Sequence, residues 1–144
     1  MVEQDTIRLL RECDSGIKMG ITAIDEVMDH VKGDNLRGIL HDSKSESQRL
    51  QCDLQKVLDD YHDDGKEPNP IVQGMSWVKT NWKMMMDGTD SKIAELMMDG
   101  CNMGIKSLSR YMNQYKAADE RSKDIAKRLI SSEERLSNDM RHYL

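Results

Sequence analysis

Proline is almost missing from this chain: there are two in 144 residues, Pro68 and Pro70, both in one short stretch. A proline inside a helix removes a hydrogen bond and kinks the chain, so its absence elsewhere leaves long helices uninterrupted. Phenylalanine is missing altogether, and aromatic residues make up 4% of the chain. The three cysteines are odd in number and form no Cys-x-x-Cys pair. That excludes a disulfide framework and fits a reducing cytoplasm. Basic residues do not predominate: 21 face 26 acidic ones, for a net charge of −5. Nonspecific nucleic-acid binding needs a basic footprint, so no nucleic-acid partner is expected. No run approaches the ~18–20 apolar residues of a membrane span. The opening Met-Val-Glu-Gln-Asp has neither the basic start nor the apolar core of a signal peptide. No phosphate-binding glycine loop, Gly-x-Ser-x-Gly or Cys/His nucleophile pairing is present, so no catalytic residue is nominated.

What is present is a phrase that occurs twice. Cys13-Asp14-Ser15-Gly16-Ile17-Lys18 returns 88 residues later as Cys101-Asn102-Met103-Gly104-Ile105-Lys106. Each copy lies near the middle of a long amphipathic stretch. Over 5–32 the stripe Ile7, Leu10, Asp14, Ile17, Ile21, Ile24, Met28, Val31 advances by threes and fours, a helix period with one polar intruder, Asp14. Over 35–62 the seam is apolar at its ends but small and polar in its middle, at Ser43 and Ser47. Helices are also predicted over 71–87, over 90–116, and from Asp119, as the cap, to 143. The Asp-Asp-Gly-Lys-Glu-Pro-Asn-Pro run from Asp63 to Pro70 is the strongest helix breaker.

The expected architecture is therefore all-α: a helical hairpin (5–62), a crossover (63–89) carrying a short extra helix, and a second hairpin (90–143) in one domain. A crossover of that size can travel the length of the bundle, which gives the up-down-down-up order of ferritin-like bundles. A glycine inside a helix costs about 1 kcal/mol against alanine. Its recurrence at Gly16 and Gly104 predicts that the first and fourth of these five helices cross closely there, which would bring the two cysteine-glycine phrases face to face.

A di-metal centre in such a bundle needs a carboxylate from each of two helices and a Glu-x-x-His pair from each of the other two. The repeat places those positions near Asp14 and Asn102, and near Glu46/Ser47 and Ser132/Glu133. Where the histidines should follow stand Arg49 and Leu136. No cofactor or metal is therefore expected. If one were held, it would be iron or manganese on Asp14, Glu46, Asp99 and Glu133. The pairs Asp59/His62 and Asp139/His142 are expected at opposite ends of the bundle, as decoration of helix C-termini. Asp14, Ser43, Ser47 and Asn102 suggest a polar layer at mid-bundle, either a register-fixing network or the lining of a small-molecule pocket. Cys13 and Cys101 are expected as buried thiols, with a redox pair as the alternative. Trp82, Met85 and Met86 could form an adaptable apolar surface for a partner or a second subunit.

With Asp64-Gly65-Lys66-Glu67-Pro68, Trp82 on the crossover, and Cys101-x-x-Gly104 followed by Tyr111, the chain resembles the ferritin-like superfamily. It is similar to a branch of uncharacterised bacterial four-helix bundles grouped as a domain of unknown function. The resemblance spans nearly the whole chain. Members of that branch tend to carry acids around the Cys-x-x-Gly phrase, where this chain has Asn102 and Ile105. More distant ferritin-like relatives store iron or perform oxygen chemistry with it, but none of their ligands has a matching position here. The expectation is a non-enzymatic interaction or stress-associated protein, with a homodimer as the expected assembly. The alternative is a metal-binding bundle of storage or oxidase type with an atypical carboxylate site.

Overall fold

The computed structural model describes residues 2–66 and 89–144. Four long helices account for most of them: α1 (Val2–Met28), α2 (Asp34–Asp60), α3 (Asp90–Gln114) and α4 (Glu120–Met140), followed by a 3-10 turn at Arg141–Tyr143. No strand occurs among the described residues. No described helix is long and apolar enough to cross a membrane. The predicted helix over 71–87 lies outside the described residues, as do Trp82, Met85 and Met86.

Local chemistry sets the helix ends. Glu3 and Asp5 occupy the first turn of α1, where negative charge meets the positive end of the helix dipole. That helix stops at Met28 instead of running to residue 32. The His30 N–H is taken by the Val27 carbonyl at 2.9 Å, and the Lys32 and Gly33 N–H groups are taken by the Asp90 carboxylate at 2.9 and 2.8 Å. Gly33 is in extended conformation as the N-cap of α2, so it opens that helix and does not close α1 in a left-handed turn. Thr89 caps α3 by accepting the Lys92 N–H, and Asp119 caps α4 by accepting the Ser122 N–H.

Neighbouring helices run antiparallel. Along α1 and α2, Lys44 pairs with Asp25 while Arg11 reaches Asp63. Between α1 and α3, Asp90 meets residues 32 and 33 at one end, while Asp5 and Thr6 accept the Ala117 and Asp119 N–H groups at the other. The α2–α4 seam carries a ladder of ion pairs on one face: Arg121 with Asp60, Arg128 with Asp53 and Arg135 with Glu46. The arginines recur every seven residues, the spacing at which a helix face returns to a neighbour. These pairs lie at the surface, so they fix direction and register more than they add stability. The four helices close into a lozenge. α1 and α4 approach across its short diagonal, whereas α2 and α3 stand apart across the long one.

The apolar core falls into two halves. One is built on Leu9, Leu10, Leu54, Leu58, Leu108 and Leu129, the other on Ile24, Leu36, Leu40, Ile93, Met97 and Met140. Cys13 belongs to the first half and Cys101 to the second. Small and polar side chains occupy the level between them.

Candidate functional site

At that middle level the helices line a partly open cavity of about 600 Å³. Folded interiors are close-packed, and voids much larger than a water are few. The opening has an identifiable origin. Gly16 and Gly20 on α1, and Gly100 and Gly104 on α3, each stand one turn from the other of their pair and line the space. A Cβ added at Gly20 would meet nothing within 4 Å, and one at Gly16 would first meet Leu129 at 3.9 Å. The glycines thus do not mark a tight helix crossing, as the repeat suggested. They form the wall of a hollow.

The two phrases do not lie face to face either. The contacts at the ends of α1 and α3 put Cys13 opposite the region of residue 110 and Cys101 opposite that of residue 22. At ~1.5 Å per residue the cysteines are offset by roughly 13 Å along the axis, beyond the ~7 Å span of a disulfide. Burial pushes both thiols up to about 12, with nearby carboxylates adding to the effect, so neither is a ready thiolate.

The expected polar layer divides. Ser43 and Ser47 line the cavity from α2. Asp14 is buried but committed elsewhere: its Oδ2 accepts the Lys66 N–H at 3.0 Å and pairs with Lys18 Nζ at 2.9 Å. Asn102 is exposed. In place of Asp14 and Asn102, α4 supplies Ser132 and Glu133 to the cavity.

Glu133 is the chemically distinctive group. Its side chain lies over the bare backbone of α3 at Gly104, where an added Cβ would stand 2.8 Å from the carboxyl carbon. Oε2 is buried and finds no hydrogen-bond partner among the described residues. Burial raises this carboxyl to about 8. The cations that could have served are engaged: Arg135 with Glu46, and Lys66 Nζ with Glu12 at 2.7 Å. Tyr111 closes the Lys66–Glu12 end of the cavity and stacks on Tyr115 at 6.2 Å between ring centroids.

The four acids considered for a metal do not converge. Asp14 holds Lys66 and Lys18, Glu46 holds Arg135, Asp99 is exposed, and the buried Oε2 of Glu133 meets no hydrogen-bond partner among the described residues. Among the described residues no three His, Cys, Asp or Glu side chains come together as a metal-binding group. This donor set does not fit a di-iron or di-manganese centre, which needs carboxylates and imidazoles aimed at common points. His62 and His142 lie at the C-terminal ends of α2 and α4, which the antiparallel ladder places at opposite ends of the bundle.

Comparison of the chain with known protein families, curated proteins and solved structures finds no match. The site must therefore be read from its own geometry.

Sequence reasoning had placed Glu133 near mid-bundle but only as a metal ligand candidate. The signal for its solitary role was Gly104, the residue across from it with no side chain. The second glycine of each pair, Gly20 and Gly100, carried the cavity and had been passed over.

Proposed function

We propose that this chain is a non-enzymatic helical bundle that holds a small, mainly apolar molecule in its mid-bundle cavity. The observation that carries this reading is a hollow of about 600 Å³ containing a buried carboxyl oxygen with no hydrogen-bond partner among the described residues. Ligand pockets are commonly of this size, lined mostly by apolar groups with a few placed polar ones. Two glycines on each of two helices keep it open, each at a cost of about 1 kcal/mol in helix stability. Buried thiols far above neutral pH and the absence of a partnered base on Glu133 speak for binding over catalysis.

The same reading takes the bundle as ferritin-like in plan. Support comes from the helix directions, since pairwise antiparallel packing of α1 with α2, α1 with α3 and α2 with α4 yields up, down, down, up. The iron- or manganese-binding alternative has less behind it, because its candidate acids are dispersed or already paired.

Calorimetric titration with n-octanol, a neutral apolar probe, tests the proposal. The wild-type chain is expected to bind it in one site. Gly20→Leu, which puts a side chain into open space, should abolish binding while leaving the helical circular dichroism intact. Undiminished binding to that variant would place the probe elsewhere and overturn the assignment. Metal analysis of protein purified without chelator tests the alternative.

A further inference from the structure

We infer that the molecule held in the cavity is an organic amine, its ammonium received by the Glu133 carboxylate and its apolar body laid along the glycine wall of α1 and α3. This rests on the cavity being the ligand site and adds the charge and anchoring group of the ligand.

Three observations lead there. First, a buried carboxyl oxygen without a partner is rare in folded proteins and asks for an explanation. A carboxylate only accepts hydrogen bonds, and an ammonium only donates them. Second, two nearby described cations are turned away from this acid. Arg135, two residues on, reaches away to Glu46 on α2, and Lys66 is turned to Glu12. Third, the charged side chains lining the cavity among the described residues are Glu12, Glu133 and Lys66, and Lys66 is already matched by Glu12. The group left over is an acid, whose ionised form would need a cation from outside the described residues, in a chain whose net charge is −5. An anionic ligand is therefore disfavoured, and a cation would complete the site. Gly104 gives the geometric counterpart: only a residue without a Cβ leaves room for the carboxyl there.

The proton balance is explicit. In the empty cavity at pH 7 the Glu133 carboxyl, raised to about 8 by burial, is mostly protonated. On binding an ammonium it ionises, the proton leaves to solvent, and a carboxylate–ammonium pair remains. Four neighbouring groups are shifted upward from values already above this range. Cys101 on α3 and Cys13 on α1 are pushed to about 12, and Tyr111 and Lys66 are both raised from values already near 10. Glu12 on α1 is tied to Lys66, the α2 acids Glu46, Asp53 and Asp60 are tied to the arginines of α4, and no histidine is among the described lining residues.

Titration calorimetry with n-octylamine and its neutral counterpart n-octanol, in buffers of different ionisation heat, tests this. Charge-assisted hydrogen bonds are roughly twice as strong as neutral ones, so the amine is expected to bind about tenfold tighter at pH 7. It should release close to one proton per molecule bound, and octanol none. Amine affinity should rise with pH up to about 8 and then level off. Glu133→Gln keeps the shape and should erase the amine's advantage over octanol together with its proton release. Equal affinities with no proton release would overturn this inference but leave an apolar ligand site standing. Failure of both probes to bind would overturn both. Amine binding unaltered in Glu133→Gln would assign it to the acidic surface and overturn the inference alone.

Discussion

Asp14, buried on α1, accepts the backbone N–H of Lys66 at 3.0 Å and so fastens the chain leaving α2 to the first helix. Gly65 makes the approach possible. Its φ is +82°, a left-handed conformation that glycine adopts without penalty, and an added Cβ would stand 3.0 Å from the Asp14 carboxyl carbon. Asp14→Ala should cost about 2–3 kcal/mol, because it removes an ionised acceptor and strands a donor. Asp14→Asn keeps an acceptor and should cost roughly half as much. Gly65→Ala should cost about 1–3 kcal/mol through backbone strain and crowding. Urea unfolding measures all three, and an Asp14→Ala midpoint equal to wild type would remove the latch from the account.

The cavity glycines should respond to alanine in opposite directions. At Gly20 the added methyl group meets nothing within 4 Å, so the substitution should stabilise by about 0.5–1 kcal/mol through helix propensity alone. At Gly104 the methyl group would collide with the Glu133 carboxyl, and Gly104→Ala should destabilise. In a Glu133→Ala background the collision is gone, and Gly104→Ala should become stabilising. A double-mutant cycle reads this coupling, expected above about 0.5 kcal/mol. A value near zero would mean that the carboxyl does not occupy the space over Gly104.

The helices were legible in the sequence because their apolar residues keep a strict period and the breakers are concentrated. The stretch 35–62 reads as apolar at its ends, and Leu36, Leu40, Leu50, Leu54 and Val57 there are buried. The cap at Asp119 was legible too, since it sits just before a periodic run. The serine-rich middle of α2 announced the level at which the core divides. What was not legible depends on facing residues from different helices. A repeat of Cys, Gly and Ile gives the same residues to α1 and α3 but not the same neighbours. Asp14 meets the Gly65–Lys66 turn, and its counterpart Asn102 meets solvent. Likewise a helical glycine signals either close packing or an opening, and only the opposing side chains decide which. Here these are Leu129 at a distance and Glu133.

Cysteine reactivity should follow burial. Cys52 is exposed on α2, whereas Cys13 and Cys101 are buried and their thiols are pushed to about 12. A thiol-disulfide reagent attacks thiolate, so at pH 8 only the accessible cysteine is a target. Titration of the native chain with Ellman's reagent is expected to give one fast thiol, and three after denaturation. Rapid loss of a second thiol in the native state would show that one of the core halves opens far more readily than its packing implies.

The pH dependence of stability should carry the mark of Glu133. Its carboxyl is raised from 4.5 to about 8, so between those values the folded chain holds a proton that the unfolded chain has released. Stability then falls as pH rises through that window, and the loss is complete once pH passes about 8. Asp63 acts in the opposite sense: lowered by its hydrogen bond from Arg11, it adds stability that is lost on acidification. Glu133→Gln isolates the first effect, because an amide has no proton to lose. The variant should match wild type near pH 5 and exceed it at pH 8.5, by an amount on the order of 1–3 kcal/mol once water at the cavity mouth is allowed for. Denaturant midpoints of the two proteins measured across pH 5–9 should diverge steadily and then run parallel above 8. Curves that stay superimposed throughout would mean that the carboxyl is ionised and solvated in the folded state, and the case for an unsatisfied acid in the cavity would go with it.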